Sequence, residues 1–198
     1  MEEITKESSS SDLDCEKGRS RAQEAAAELY QLAALMLGDE AQAVEAVETA
    51  VARTEVDPCA DADASVGAAR THLVATALAR LTQADPRAFD APALSATAAG
   101  GCIESDDLSA AGISSSQLAA MVSGPGRRTL REWLNRLPAA QRIVFIQRAI
   151  LGWDNAASAA SLGKSASGNW QPSQVGEVFR QALCSLASSL AHATAAQA

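Results

Sequence analysis

The chain has 198 residues, of which 47% are apolar and 4% aromatic, enough for one ordinary domain or two small ones with a buried core. About 45 of them are alanine, roughly half of the apolar total. Large side chains are correspondingly few, and the residue with the highest helix propensity dominates. This composition predicts an all-helical protein whose helices approach closely, and a formal net charge of −8 excludes a surface that coats nucleic acid non-specifically.

The charge is unevenly spread. From Ser109 onward eight Arg and Lys face three acids, a formal +5, so the residues before it carry −13. The two parts therefore call for different electrostatic partners. Four cysteines, Cys15, Cys59, Cys102 and Cys184, lie far apart with no CxxC pair and no histidine at ligand spacing. They read as reduced thiols rather than a zinc site or a disulfide framework. The acidic, Ser-rich start lacks the pattern of a secretory signal, and no apolar run reaches the ~18 to 20 residues of a membrane span. The expectation is a soluble, cytoplasmic protein that does not enter membranes.

In chain order, residues 1–20 have no apolar period and are expected to form a disordered tail. Leu29, Leu32, Ala33 and Met36 follow at i, i+3, i+4 and i+7, the period of an amphipathic helix. Gly38 is placed to stop it and Asp39 to cap the next helix. In that second helix Val44, Val47 and Val51 form one stripe while Glu40, Glu45 and Glu48 carry acid, so a helical hairpin with an acidic outer face is expected, the valines inside. A loop containing Asp57 and Pro58 leads to a third helix over 65–81, with Leu73, Val74, Ala77, Leu78 and Leu81 on its apolar side. Residues 21–82 thus read as a small three-helix domain. Residues 83–126 accumulate Ala, Ser, Gly, Pro and Asp and read as a flexible linker, with a turn of helix near 108–122.

Four further helices are expected over 127–192. The first runs from Arg128 to Leu137, and Pro138 then opens the first turn of one that reaches Leu151 and ends at Gly152. Asp154 caps a short Ala-rich helix ending at Leu162 and Gly163. A last helix follows an irregular stretch from Lys164 to Pro172 and carries Val175, Val178, Phe179, Ala182, Leu186 and Leu190 on one face. Helix, Gly turn and helix, behind a supporting helix, is the layout of a helix-turn-helix.

Within that layout, the stretch Leu134, Leu137, Pro138, Gln141, Arg142, Val144, Phe145 resembles the start of region 4 in the sigma-70 family, especially its small extracytoplasmic-function members, whose pattern is L-x-x-L-P-x-x-Q-R-x-V-F. Arg148, Gly152, Ala159, Leu162 and Gly163 continue at that family's spacing. A second resemblance, to region 2, covers residues 28–53, through Leu37-Gly38-Asp39 and Ala43-Val44-Glu45-Ala46-Val47-Glu48. The resemblance implies two small helical domains, region 2-like and region 4-like, joined by a linker. It also implies a transcription initiation factor that binds core RNA polymerase and directs it to promoter DNA, with an anti-sigma factor as a further possible partner. Glu45 and Glu48 would then contact polymerase. Lys164, Gln171, Ser173, Gln174 and Arg180 would meet promoter DNA, since Gln and Arg make bidentate contacts to base edges.

Two departures from the family pattern stand out. The third helix offers Arg70, His72 and Arg80 but no aromatic residue to trap an unstacked base. In the last helix Val178 and Gln181 stand where relatives carry basic residues, and Glu177 where they carry Ser. These losses motivate the alternative of a sigma-like mimic that binds anti-sigma factor or polymerase without reading promoters. Arg127 to Arg148 form a basic series available to DNA or polymerase, whereas Trp133, Trp153 and Trp170 read as packing residues. No G-x-S-x-G, phosphate-loop, H-E-x-x-H or dinucleotide glycine motif occurs, so no catalytic activity, cofactor or metal is expected.

Overall fold

The computed structural model describes residues 21, 23–54, 62–90, 102–165 and 169–195. The expected tail at 1–20, the Asp57-Pro58 loop, Cys15, Cys59 and residues 91–101 lie outside them. Among the described residues every regular element is helical. In order they are α1 (23–37), α2 (Glu40–Ala52), α3 (Ala62–Ala84), a 3-10 turn (Leu108–Ala111) and α4 (Ser115–Ser123). The chain continues with α5 (Arg127–Arg136), α6 (Ala139–Phe145) running into a π turn (Ile146–Ile150), α7 (Asn155–Ser165) and α8 (Pro172–Ala195). No helix is long and apolar enough to cross a membrane among the described residues.

The chain divides into two compact units, Met1–Ala77 and Leu78–Ala198, and the division falls within α3. In the first unit the α1 stripe Leu29, Leu32, Ala33 and Met36 is buried as its spacing predicts. Gly38 adopts φ 75°, the left-handed conformation that ends a helix at little cost for glycine. Asp39 then accepts the Gln42 amide at 2.8 Å and caps α2. In α2, however, the buried stripe is Ala43, Ala46 and Ala50, each fully inaccessible, while Val44 and Val51 are 46% and 45% exposed. Of the valine stripe expected inside, Val44 and Val51 point outward and Val47 is half-buried. The two sets share the same i, i+3, i+7 spacing and differ by one residue, a rotation of ~100° about the axis. Alanine on the inner face admits closer helix approach than valine, and this decides between them. Leu73, Val74 and Ala77 of α3 are buried as expected, as is Leu78 where the second unit begins, whereas Leu81 is half-buried, and Arg70 of α3 pairs with Glu28 of α1 at 2.7 Å.

In the second unit the core is built on three rings. Trp133 of α5 meets Phe145 of α6 edge-on at 4.9 Å between centroids, and Phe145 meets Phe179 of α8 at 6.1 Å, separations at which ring pairs attract beyond their area burial. The Trp133 indole also donates to Ser185 Oγ at 3.1 Å. α8 packs on both α6 and α7, with Val175, Val178, Phe179, Ala182, Leu183 and Leu186 inside. Gly152 at φ 69° separates the π turn from α7, and Asp154 caps α7 through the Ala157 amide at 2.7 Å.

The span 83–126, read from composition as a linker, lies within this unit in its described parts. Phe89, Ile103, Ile113 and Leu118 are buried there, and the Trp170 indole donates to the Phe89 carbonyl at 2.9 Å. The 3-10 turn and α4 form where a turn of helix was expected, and α4 is opened by a capping box between Ser114 and Gln117. Isolated bulky residues in a polar stretch act as anchors here, a role that composition averages conceal.

Candidate nucleic-acid interface

The start of α8 gathers three of the five residues expected to meet DNA. Gln171 precedes Pro172, which takes the first helical position where its missing N–H costs nothing. The Gln174 side-chain oxygen accepts the Gln171 amide at 2.7 Å, so Gln174 is committed to capping the helix. Gln171 Nε2 donates to Asn169 Oδ1 at 3.3 Å. Gln171 and Ser173 are exposed and Gln174 is half-buried. Lys164 is exposed in the last turn of α7, where a cation complements the helix dipole.

Arg180 lies two turns into α8 and forms an ion pair with Glu177, one turn earlier. Gln181 donates to the same carboxylate at 3.1 Å and in turn accepts from Gln141 Nε2 of α6 at 3.3 Å. The Arg180 hydrogen bond holds the Glu177 carboxyl below its ordinary range, against a smaller opposing effect of burial. Glu177 therefore neutralises the cation expected to reach DNA. Val178, the other position of interest, is buried.

The basic series of α5 and α6 does not act as one surface. Arg127 and Arg136 are exposed, and Arg128 pairs with Glu132 at 2.9 Å. Burial lowers the pKa of the half-buried Arg142 guanidinium. Arg148 is turned inward. Its side chain is 17% exposed, stacks over the Phe179 ring at 5.1 Å, and donates to the Trp153 carbonyl at 2.9 Å and the Asp106 carbonyl at 3.2 Å. Asp106 Oδ2 also accepts from Asn155 Nδ2 at 2.7 Å. One acidic residue thus ties together the π turn, the first turn of α7 and its own segment. The sequence gives no sign of this role, because Asp106 stands in a polar run 42 residues from Arg148.

A second connection contradicts the reading of the cysteines as reduced thiols. Cys102 and Cys184 form a disulfide across 82 residues, with Cα atoms 5.8 Å apart. No spacing rule reveals such a pair, because proximity at that separation is created by the tertiary fold.

Glu45 and Glu48, expected to contact polymerase, are both exposed on α2. They lie beside the outward Val44 and Val51, so the helix presents two exposed valines with acids along one side. The chain matches no family model, no curated protein and no solved structure.

Proposed function

We propose that this protein is a sigma-like transcription initiation factor that binds core RNA polymerase and directs it to promoter DNA, without cofactor or chemistry of its own. In this reading residues 21–82 serve as the region 2-like domain and 127–192 as the region 4-like helix-turn-helix. The observation that carries it is the seating of α8 on α6 and α7, with Gln171 and Ser173 outward at its start and Lys164 exposed at the end of the preceding helix. The outward Val44 and Val51 beside Glu45 and Glu48 support a polymerase-docking role for α2, since exposed aliphatic side chains rimmed by charge mark a protein contact. The test is run-off transcription with core polymerase. Transcripts that depend on the chain, and duplex retention that falls steeply with salt, support promoter binding. Absence of both overturns it.

A second reading, a sigma-like mimic that binds polymerase or an anti-sigma factor without reading DNA, is favoured by the Glu177–Arg180 pair. That pair removes the net charge of the one cation on the exposed part of α8's first three turns. Co-purification with polymerase and no retained duplex selects the mimic.

A further inference from the structure

The disulfide and Asp106 mark the two ends of one short segment. Cys102 is fastened to Cys184. Asp106 sits so close to α8 that a Cβ on Gly176 would lie 3.2 Å from its carboxylate oxygen. Residues 102–107 are irregular, with bends at 102 and 104–107, and from 184 back to 176 the helix beneath spans ~12 Å. With its first residue tied to 184 and Asp106 against 176, the segment runs along α8 in the opposite sense to the helix. The ridge beneath is 176, 180 and 184, at i, i+4 and i+8, with Arg180 at its middle. Ile103 is buried and anchors the segment, and the 3-10 turn that follows also contacts α8. The segment reads Cys-Ile-Glu-Ser-Asp-Asp, three acids in six residues.

We propose that residues 102–107 are an acidic, redox-released strap that covers one flank of α8. The inference rests on the reading of α8 as a DNA-facing helix only for its consequence, since the strap itself is independent of any ligand. Closed, it holds the exposed Glu104 and Asp107 on the segment along the helix that would approach phosphate, while Arg148 balances the charge of Asp106, and like charge there opposes binding. Cys102 is exposed, so its sulfur is open to attack by a small thiolate. Opening consumes two equivalents of a small thiol: the Cys102–Cys184 bond breaks, both cysteines gain a proton, and the reductant leaves as its disulfide. Closing is the reverse exchange, in which a small-molecule disulfide takes two electrons and two protons from the pair. Gly176 belongs to the same device, because a Cβ there would lie 3.2 Å from both Asp106 Oδ2 and Asn155 Nδ2, which would have to give way slightly.

The test uses the full chain with Cys15→Ser and Cys59→Ser, oxidised and reduced, with Cys102→Ser as a permanently open form. Hydroxyl-radical labelling of Ile103 reads the strap directly, and circular dichroism checks that the helices persist. The expected result is low labelling when oxidised, and a severalfold rise both on reduction and in Cys102→Ser, with unchanged helix content. Retention of a promoter duplex by the polymerase complex should rise about tenfold in parallel. Equal labelling of Ile103 in both redox states, or loss of helix on reduction, overturns the strap. A labelling rise with equal, measurable duplex retention overturns its gating role. A labelling rise with no duplex retained by either form upholds the strap and overturns the DNA reading of α8.

Discussion

The two units solve the same packing problem with opposite materials. The first buries leucines on α1 and α3 but only alanines on α2, whose Val44 and Val51 stay in solvent, so α2 gains proximity rather than area. The second buries Trp133, Phe145 and Phe179 around one centre and fastens remote segments to it through Asp106, Trp170 and a disulfide. Burial of large rings stabilises roughly in proportion to their area, whereas an alanine seam contributes little area and depends on the absence of anything larger. The α2 seam of the first unit should therefore be sensitive to added volume, and the ring cluster of the second to removed volume.

The largest expected effect tests the second half of that contrast. Phe145 is fully buried and touches both other rings. Phe145→Ala should destabilise the second unit by about 3–5 kcal/mol, as such truncations do when the cavity cannot collapse. Urea unfolding followed by tryptophan fluorescence measures it, and a loss below about 1 kcal/mol would mean that the three rings are not its centre.

The first unit should respond to the reverse change. Ala46 is wholly inaccessible, so Ala46→Leu should cost about 1–3 kcal/mol through overpacking. Val44→Ala, one face away, should change stability by no more than about 0.5 kcal/mol while weakening retention of core polymerase. Thermal melts followed by circular dichroism separate the two substitutions. If Val44→Ala proved the more damaging, the assignment of the inner face of α2 would be reversed.

The same α2 shows how far local pattern reaches. Its existence, its Asp39 cap and the Gly38 stop were legible because they depend on neighbouring residues. Its phase was not, because two apolar stripes competed and only the packing of neighbouring helices selects between them. The order of α5 to α8, their glycine and proline boundaries and the buried face of α8 were legible for the same local reasons. The site was less so. Gln174 is committed to a cap and Arg180 to an acid, and both facts lie within reach of i, i+3 spacing, which could have found them. Arg148, Asp106 and the Cys102–Cys184 bond depend on contacts across 42 and 82 residues, where sequence spacing carries no information.

Within the second unit, Ser158 is fully buried and its hydroxyl makes no hydrogen bond. A buried hydroxyl in that state costs desolvation without return. Ser158→Ala should therefore leave the unit unchanged or raise its stability by up to about 1 kcal/mol, measured as a shift of the urea midpoint. A clear loss would show that the hydroxyl has a role in holding α7 on its neighbours.

The smallest effect concerns the charge balance of α8. Arg180 holds the Glu177 carboxyl below its ordinary value of 4.5, so the folded state binds that proton less readily than the unfolded one. The pair's contribution is therefore fully present above pH ~4.5 and fades as pH falls through the lower folded value. The Arg180 side chain is 38% exposed, so screening limits the contribution to about 0.5 kcal/mol or less. Glu177→Gln should lower stability by that amount at pH 7 and by nothing once the carboxyl is protonated in both states, as compared in thermal melts over descending pH. The same substitution leaves the charge of Arg180 unopposed by an acid one turn away, so duplex retention by the polymerase complex should rise and its salt dependence steepen. A variant that loses stability equally at all pH values would place the effect in the Gln181 and Gln141 hydrogen bonds instead of the ion pair.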